Sequence, residues 1–294
     1  MPGAVPDQAS QAAAGRTAHP AARAGARPAE DGTTRPPEPP GRAPLGEDAV
    51  PVEVLTDEEL AILAGPGGLV VSPFLATASD GDHAAVTRTA YRGLLARGIL
   101  EPPTARALAD AVGEATVEVQ VRQDVLTVVT LRRAAPVVVC VARTSVLAQD
   151  YWYAHVVDDV VLVEQVGSDG LHRFALARTE QLGDLVVDAT IHPECGDGAG
   201  PDRELPDDGT VPVEIAEQLG TALLRTDLVV RTVGDEHAPL TGLFTGPAGA
   251  WTLTARAATR EPLVARPVSR ADLEAAVRVS VSEALAHAHL VPEG

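Results

Sequence analysis

Four short apolar runs divided by turn residues constrain this chain most strongly. They span 137–141, 151–157, 160–166 and 171–176, and Asp158-Asp159 and Gly167-Ser168-Asp169-Gly170 separate the last three. β-branched and aromatic residues between such breakers predict strands joined by hairpins. An amphipathic helix with Leu182 and Val186 on one face follows. The stretch 137–190 therefore predicts four antiparallel strands and a helix.

Residues 228–281 repeat this order of apolar runs, turns and helix. Val138 corresponds to Val229, and Trp152-Tyr153 to Leu243-Phe244, at an offset of 91 without a gap. Two copies are too few for a solenoid. We predict an α+β fold with internally duplicated β-β-β-β-α units, related by a pseudo-two-fold axis, in which helices flank an antiparallel sheet. The alternative is that the two stretches share only the strand-turn rhythm common to α+β proteins.

Charge and hydropathy restrict the classes of partner. The net charge is −18, and all 23 basic residues are Arg. This balance argues against nucleic acid and against anionic membrane surfaces, which both attract dense positive charge. No run approaches the roughly 18 apolar residues of a membrane span, and the N-terminus lacks a secretory signal pattern. We expect a cytoplasmic protein with no nucleic-acid or membrane partner; its oligomeric state stays open.

Composition also predicts the domain boundaries. Residues 1–48 are rich in Ala, Pro, Gly and Arg and lack apolar periodicity, which is typical of a disordered tail. One domain is expected over 49–294. It comprises a first half, 49–192, an exposed linker rich in Gly and acidic residues, 193–212, and a second half, 213–294.

The remaining secondary structure follows from caps and periodicity. Thr56 and Glu59 form a capping-box pattern that predicts a helix start. Gly98 is a predicted helix C-cap. Helices are also predicted over 82–97, 104–112, 124–134, 213–225 and 270–289, and a strand over 116–122.

No constellation for catalysis or cofactor binding emerges. His192 and Cys195, like His287 and His289, lack a second pair at zinc-site spacing. Without any Lys the chain has no P-loop lysine and no Schiff-base lysine. We predict no catalytic, cofactor-binding or metal-binding residue, and hence not an enzyme.

Aromatic residues of the two repeated stretches are the candidate contacts for a protein partner. They are Tyr151, Tyr153, Phe244 and Trp251. Aromatic side chains are enriched at protein interfaces. The alternative is that all four are packing residues.

Several stretches taken together resemble a known family. A Leu-x-x-x-Gly-Ile-Leu helix end at 94–100 precedes the Trp152-Tyr153 strand, a Val-rich strand, the 170–176 strand and the helix with Leu182. This layout looks like the EspG family of actinobacterial type VII secretion (ESX) chaperones. The resemblance covers about 52–290, while the long tail and the acidic linker depart from it.

This resemblance implies a single α/β domain with a quasi-two-fold duplicated sheet. It also implies a cytosolic protein that binds the tip of the PPE protein in PE–PPE pairs and keeps it soluble for export. It assigns no binding residue. We therefore expect a chaperone or adaptor for a secreted helical partner.

Two alternatives stay open. One is a transcriptional regulator with a winged-helix-like segment over 60–100, in which Arg88, Arg92 and Arg97 are available for DNA. The other is a structural module.

Overall fold

A ten-stranded antiparallel sheet organises the described part of the chain. The computed structural model describes residues 45–46, 48–65, 69–77, 80–110, 119–205, 212–235, 238–255 and 263–290. The strands are β1 (Val50–Thr56), β2 (Val137–Ser145), β3 (Gln149–Val157), β4 (Val160–Gly167), β5 (Leu171–Arg178), β6 (Arg203–Glu204), β7 (Leu224–Thr232), β8 (Leu240–Gly246), β9 (Gly249–Ala255) and β10 (Val264–Val268). Their order is β1-β5-β4-β3-β2-β7-β8-β9-β10-β6, which confirms the predicted α+β class with an antiparallel sheet and helices.

Helices cover both faces of this sheet. They are α1 (Asp57–Ala64), α2 (Asp80–Ala96), α3 (Ala105–Asp110), α4 (Gln123–Ala134), α5 (Leu182–Thr190), α6 (Val213–Gly220) and α7 (Arg270–Leu290). On one face α5 packs on β2, and α7 packs on β2 and β7, to form the largest core, which holds Trp152, Leu182 and Val277. On the other face α1, α2 and α4 cover β4 and β5, around Leu162 and Phe174. On that same face α6 covers Trp251.

The predicted turns connect the antiparallel strands β3, β4 and β5. Asp158 adopts a positive φ of 53° between β3 and β4, and Gly170 a φ of 69° between β4 and β5. Glycine accepts this left-handed backbone without strain. The four predicted strands are all present, each as long as expected or longer.

On each side of the β2–β7 pair, the next three strands follow in chain order: β3, β4 and β5 on one side, and β8, β9 and β10 on the other. The strand registers, however, rule out a single sequence offset between the two halves. Val141 pairs with Trp152. At an offset of 91 throughout, Thr232 would pair with Leu243, whereas Leu243 pairs with Thr226. The ungapped alignment is therefore wrong. Trp152 and Leu243 do share the largest core, and the duplication itself stays a prediction.

Tertiary pairing overrides local pattern at three places. The sequence did not predict β1, which pairs with β5. The helix expected over 213–225 ends at Gly220, because β7 begins at Leu224 and pairs with β2 and β8. The strand expected over 116–122 is reduced, in its described residues, to one bridge between Leu100 and Val121; residues 116–118 lie outside them.

The predicted linker packs against the second half. Cys195 and Leu205 are buried, and Gly198 donates its backbone N–H to Val268 O at 2.9 Å. Arg203 and Glu204 form β6 against β10. The segment 193–205 thus contacts the fold through a few residues, while most of its residues are exposed; its role as a linker stays a prediction.

The predicted tail, 1–48, lies outside the described residues except for 45–46 and 48. Leu45, at its end, is buried in the largest core. Among the helices that the structure describes, none has the length and hydropathy needed to cross a membrane.

Candidate protein-binding site

The tip of the β2–β3 hairpin presents two apolar side chains to solvent. Val146 is 84% exposed and Leu147 67% exposed. Ser145 holds the turn: its Oγ accepts the backbone N–H groups of Leu147 and Ala148, each at 3.2 Å. Its own N–H donates to Ala148 O at 2.9 Å. The two apolar side chains therefore project from an ordered turn, and exposed apolar patches often mark interaction sites.

A cavity of about 520 Å³ lies beside this tip, with a mainly apolar lining. Arg143, Ser145 and Leu224 contribute from the central strands, and Val187 and Ile191 from the end of α5. Its volume falls within the roughly 300–1,000 Å³ of ligand pockets. Val146 and Leu147 also line it, so the tip and the cavity form one apolar surface, which we call the hairpin site.

A buried ion pair lies within the hairpin site. Arg143 and Asp150 face each other across β2 and β3, with Nη1 at 3.1 Å and 3.3 Å from the two carboxylate oxygens. Burial lowers the pKa of Arg143, and the charge of Asp150 offsets this only in part. Within the described part of the chain, Nε of Arg143 is buried and has no hydrogen-bond acceptor. An unpaired N–H on a buried charged group is costly.

The rim of the hairpin site opposite the tip is tied down by hydrogen bonds. Arg270, at the start of α7, donates from Nη1 to Pro193 O at 2.7 Å. His192 donates its backbone N–H to Thr245 Oγ1 at 3.0 Å. These bonds connect the end of α5 to α7 and β8, so the cavity has a preformed rim.

A second constellation, absent from the sequence-based predictions, is a buried ionic cluster under α1 and α4. His172 lies between two carboxylates, with Nδ1 2.6 Å from Glu164 Oε1 and Nε2 2.6 Å from Asp57 Oδ1. Glu164 Oε2 contacts His155 Nε2 and accepts from Arg132 Nε, both at 2.9 Å. All except Arg132 are buried.

The pKa shifts in this cluster favour charged groups. Burial alone would raise the pKa of Glu164, but hydrogen bonds from His155 and His172 and the charge of Arg132 hold it well below its usual range. Burial would lower the pKa of His172, yet hydrogen bonds to Asp57 and Glu164 raise it. Because the cluster is closed to solvent, it joins α1 and α4 to the sheet and offers no access to a substrate.

The four predicted partner-binding residues lie on the opposite face of the sheet from the cavity. Tyr153 is buried and its hydroxyl accepts the backbone N–H of Val71 at 3.2 Å. Trp251 is buried in the core under α6. Phe244, half-buried, packs against that core beneath Arg225, and Tyr151 is also half-buried.

These aromatic side chains therefore form no common exposed patch, because the segment around Val71 and α6 cover two of them. The hairpin site was not predicted from the sequence. The one sequence feature that could have indicated it is the pair of apolar residues, Val146 and Leu147, in the turn between two predicted strands.

Other residues considered in the sequence have ordinary structural surroundings. The described residues contain no group of three side chains that could hold a metal ion. Burial raises the pKa of Cys140 to about 11. Arg97, a candidate DNA contact, is held by Glu53 and Glu59 in ion pairs.

Comparison with solved structures gives 13 matching chains, one of which is described here. Residues covering 82% of this chain and 97% of the other match the Mycobacterium tuberculosis type VII secretion system chaperone EspG5, solved in complex with the PE25–PPE41 dimer, at 13% identity and a TM-score of 0.45. No family model matches the sequence. No curated protein matches it.

Proposed function

We propose that this protein is a non-enzymatic, cytosolic chaperone or adaptor that covers an apolar helical surface of a secreted protein partner. The observation that carries the proposal is the hairpin site, where Val146 and Leu147 stand exposed beside a mainly apolar cavity. Isolated exposed apolar residues are common on soluble proteins, but a contiguous exposed patch next to a pocket is typical of protein recognition.

Geometry favours a helix as the occupant. The cavity is bounded by the C-terminal end of α5, the start of α7 and the β2–β3 hairpin. It therefore opens at one end of the sheet, where a protruding part of a partner protein can enter. An amphipathic helix presents apolar side chains along one face at i, i+3 and i+4, and such a face can fill a groove. Burial of Val146 and Leu147 would contribute on the order of 1.5–3 kcal/mol each.

The order of predicted strands and helices along the sequence suggests a specific class of partner. The resemblance to the EspG family makes a PE–PPE-like pair the specific candidate. The EspG5 structure described above is itself a complex with the PE25–PPE41 dimer.

Co-expression tests the proposal. The tagged full-length chain would be produced with a PE–PPE-like pair from its own genome and purified by its tag. We expect the pair to co-purify with the wild type and with the Val233→Ser control, and to be lost from Leu147→Ser. Val233 and Leu147 are both 67% exposed, so the control matches in exposure and chemistry. Recovery of the wild type alone, or equal recovery by all three, would overturn the proposal.

A further inference from the structure

The middle of the sheet is covered by helices on only one face in the described part of the chain. On the face away from the hairpin site, α4 packs on β1, β3 and β4, and α6 covers Trp251 of β9. Side chains alternate between the two faces along a strand. On β7, Leu228 is buried under α5 and α7, whereas Val229 is half-buried and Arg231 is exposed on the other face. A strip of central strands between α4 and α6 is therefore open to solvent.

Strand pairing gives the residues of this surface, which we call the open strip. Residues directly opposite each other on neighbouring strands project to the same face. The open strip consists of two rows of three residues across β2, β7 and β8: Ala142, Asp227 and Gly242 in one row, and Cys140, Val229 and Leu240 in the next. Leu240 is 43% exposed, so apolar surface is available for contact.

The width of the open strip fits one helix. β3, β2, β7, β8 and β9 are neighbours in that order, and strands lie about 4.8 Å apart, so about 19 Å separates β3 from β9. Packed helices lie roughly 8–10 Å apart, and one more helix between α4 and α6 would contact both. A strand is excluded as the occupant, because β2, β7 and β8 are interior strands whose backbone groups are already paired.

Gly242 leaves space on the open strip that the fold itself does not require. Its φ lies outside the left-handed region, and a Cβ would meet its nearest neighbours, among them Asp227 Oδ1 and the Phe244 ring, at an ordinary 3.6 Å. Glycine inside a strand weakens it and often marks a place where another backbone approaches closely. The glycine is thus explained by an approaching partner and not by strand geometry.

Arg231 sets the charge that suits this partner. Burial raises the pKa of the Cys140 thiol to about 11 and the charge of Arg231 opposes this, which places the guanidinium near the open strip. Arg231 has no ion pair with any described residue. At the other end Arg225 is already engaged, 5.5 Å from the centroid of the Phe244 ring and 3.5 Å from Asp227 Oδ2. The unpaired charge of Arg231 is therefore complemented by a carboxylate.

We propose that the open strip binds an amphipathic helix of a second protein, with its apolar face on Val229 and Leu240 and a carboxylate at Arg231. This helix completes the layer formed by α4 and α6. Residues 225–231 span about 20 Å along β7, which corresponds to about 13 residues of helix. The inference goes beyond the proposed function, because the hairpin site opens on the other face and each surface can be lost alone.

A stapled helical peptide of about 16 residues tests the proposal with the full-length protein. It carries leucines along one face and a single glutamate at one end of that face, and the control peptide has lysine in place of the glutamate. Fluorescence anisotropy measures both dissociation constants up to about 1 mM. We expect about tenfold tighter binding of the glutamate peptide, because only its carboxylate complements Arg231.

Three variants locate the binding surface. Arg231→Glu should reverse the preference, so that the lysine peptide binds about tenfold more tightly. Gly242→Val should weaken both peptides by about tenfold or more without lowering the free energy of unfolding, since valine suits a strand and its side chain fills the space for the helix. Leu147→Ser, in the hairpin site, should leave both dissociation constants unchanged.

The outcomes separate this inference from the proposed function. Reversal by Arg231→Glu together with loss by Gly242→Val supports the inference. Absence of binding, or equal binding of both peptides to the wild type, overturns it. Binding that Leu147→Ser abolishes and Gly242→Val leaves intact also overturns it, while the proposed function stands. A wild-type dimer that Gly242→Val converts into a monomer, measured by light scattering, would identify a second copy as the occupant and overturn it as well.

Discussion

Arg143 and Asp150 face each other across β2 and β3 as a buried ion pair, with Arg143 Nη1 3.1 Å from Asp150 Oδ2. The pair lies directly below the hairpin tip and holds the two strands that present Val146 and Leu147. It therefore links the stability of the sheet to the geometry of the proposed binding surface.

Removal of one member of this pair should destabilise the fold more than removal of both. Asp150→Ala leaves the guanidinium of Arg143 buried without its carboxylate, and we expect a loss of about 3–5 kcal/mol. Replacement of the pair by Arg143→Met and Asp150→Leu should restore most of the unfolding free energy. Urea denaturation followed by circular dichroism measures both, and equal losses in the two variants would contradict the account.

The ionic cluster should be equally sensitive to an isosteric change. Glu164→Gln removes the charge that lies between His172 and Arg132, and we expect a loss of about 3–5 kcal/mol in the free energy of unfolding. Glu180→Gln, at an exposed position, is the matched control and should change it by less than about 0.5 kcal/mol. The same urea titration applies, and similar values for both variants would show that the cluster has no structural role.

The stabilisation from this cluster should depend on pH in a defined direction. The pKa of His172 is raised above its ordinary 6.5, so its contribution is complete below pH 6.5 and is lost as pH rises through the raised pKa. The pKa of Glu164 is lowered below 4.5, so its contribution is complete above pH 4.5 and is lost as pH falls.

His172→Gln should accordingly cost more stability at pH 6 than at pH 9. Glu164→Gln should cost more at pH 6 than at pH 3.5. Urea midpoints of the wild type and both variants at these pH values provide the measurement. A penalty that stays constant across the range would refute the assigned charges.

The segment 193–205 should be sensitive to side-chain size at Gly198. A Cβ at this position would lie 2.1 Å from Ala250 O and 2.7 Å from Val268 N, both backbone atoms of the sheet. Gly198→Ala should therefore lower the melting temperature by several degrees. Gly220→Ala is the control, since a Cβ there meets nothing within 4 Å, and a similar melting temperature for both would place the segment away from the sheet.

Local signals were sufficient to predict the middle of the chain. The hairpin turns at Asp158-Asp159 and Gly170 punctuate Val-rich runs, and the capping box of Thr56 and Glu59 is present as expected. These features depend on residues close in sequence. Periodicity and turn chemistry therefore predicted them.

Features that depend on distant partners were not predicted. β1 exists because it pairs with β5, more than 100 residues away, and Pro51 within it weakens a local strand signal. His172 and Asp57 meet across 115 residues. Burial, which no local pattern revealed, removes Tyr153 and Trp251 from the surface; the partner-binding role of the four aromatic residues stays a prediction.

Hydrogen–deuterium exchange of the complex with a co-purified helical partner tests the central claim most directly. The account predicts slower exchange on binding at residues 143–150 and 187–193, which form the hairpin site, with no change around Val233 at the opposite end of β7. Protection confined to α6 or to the region of Val233, with residues 143–150 unchanged, would contradict it.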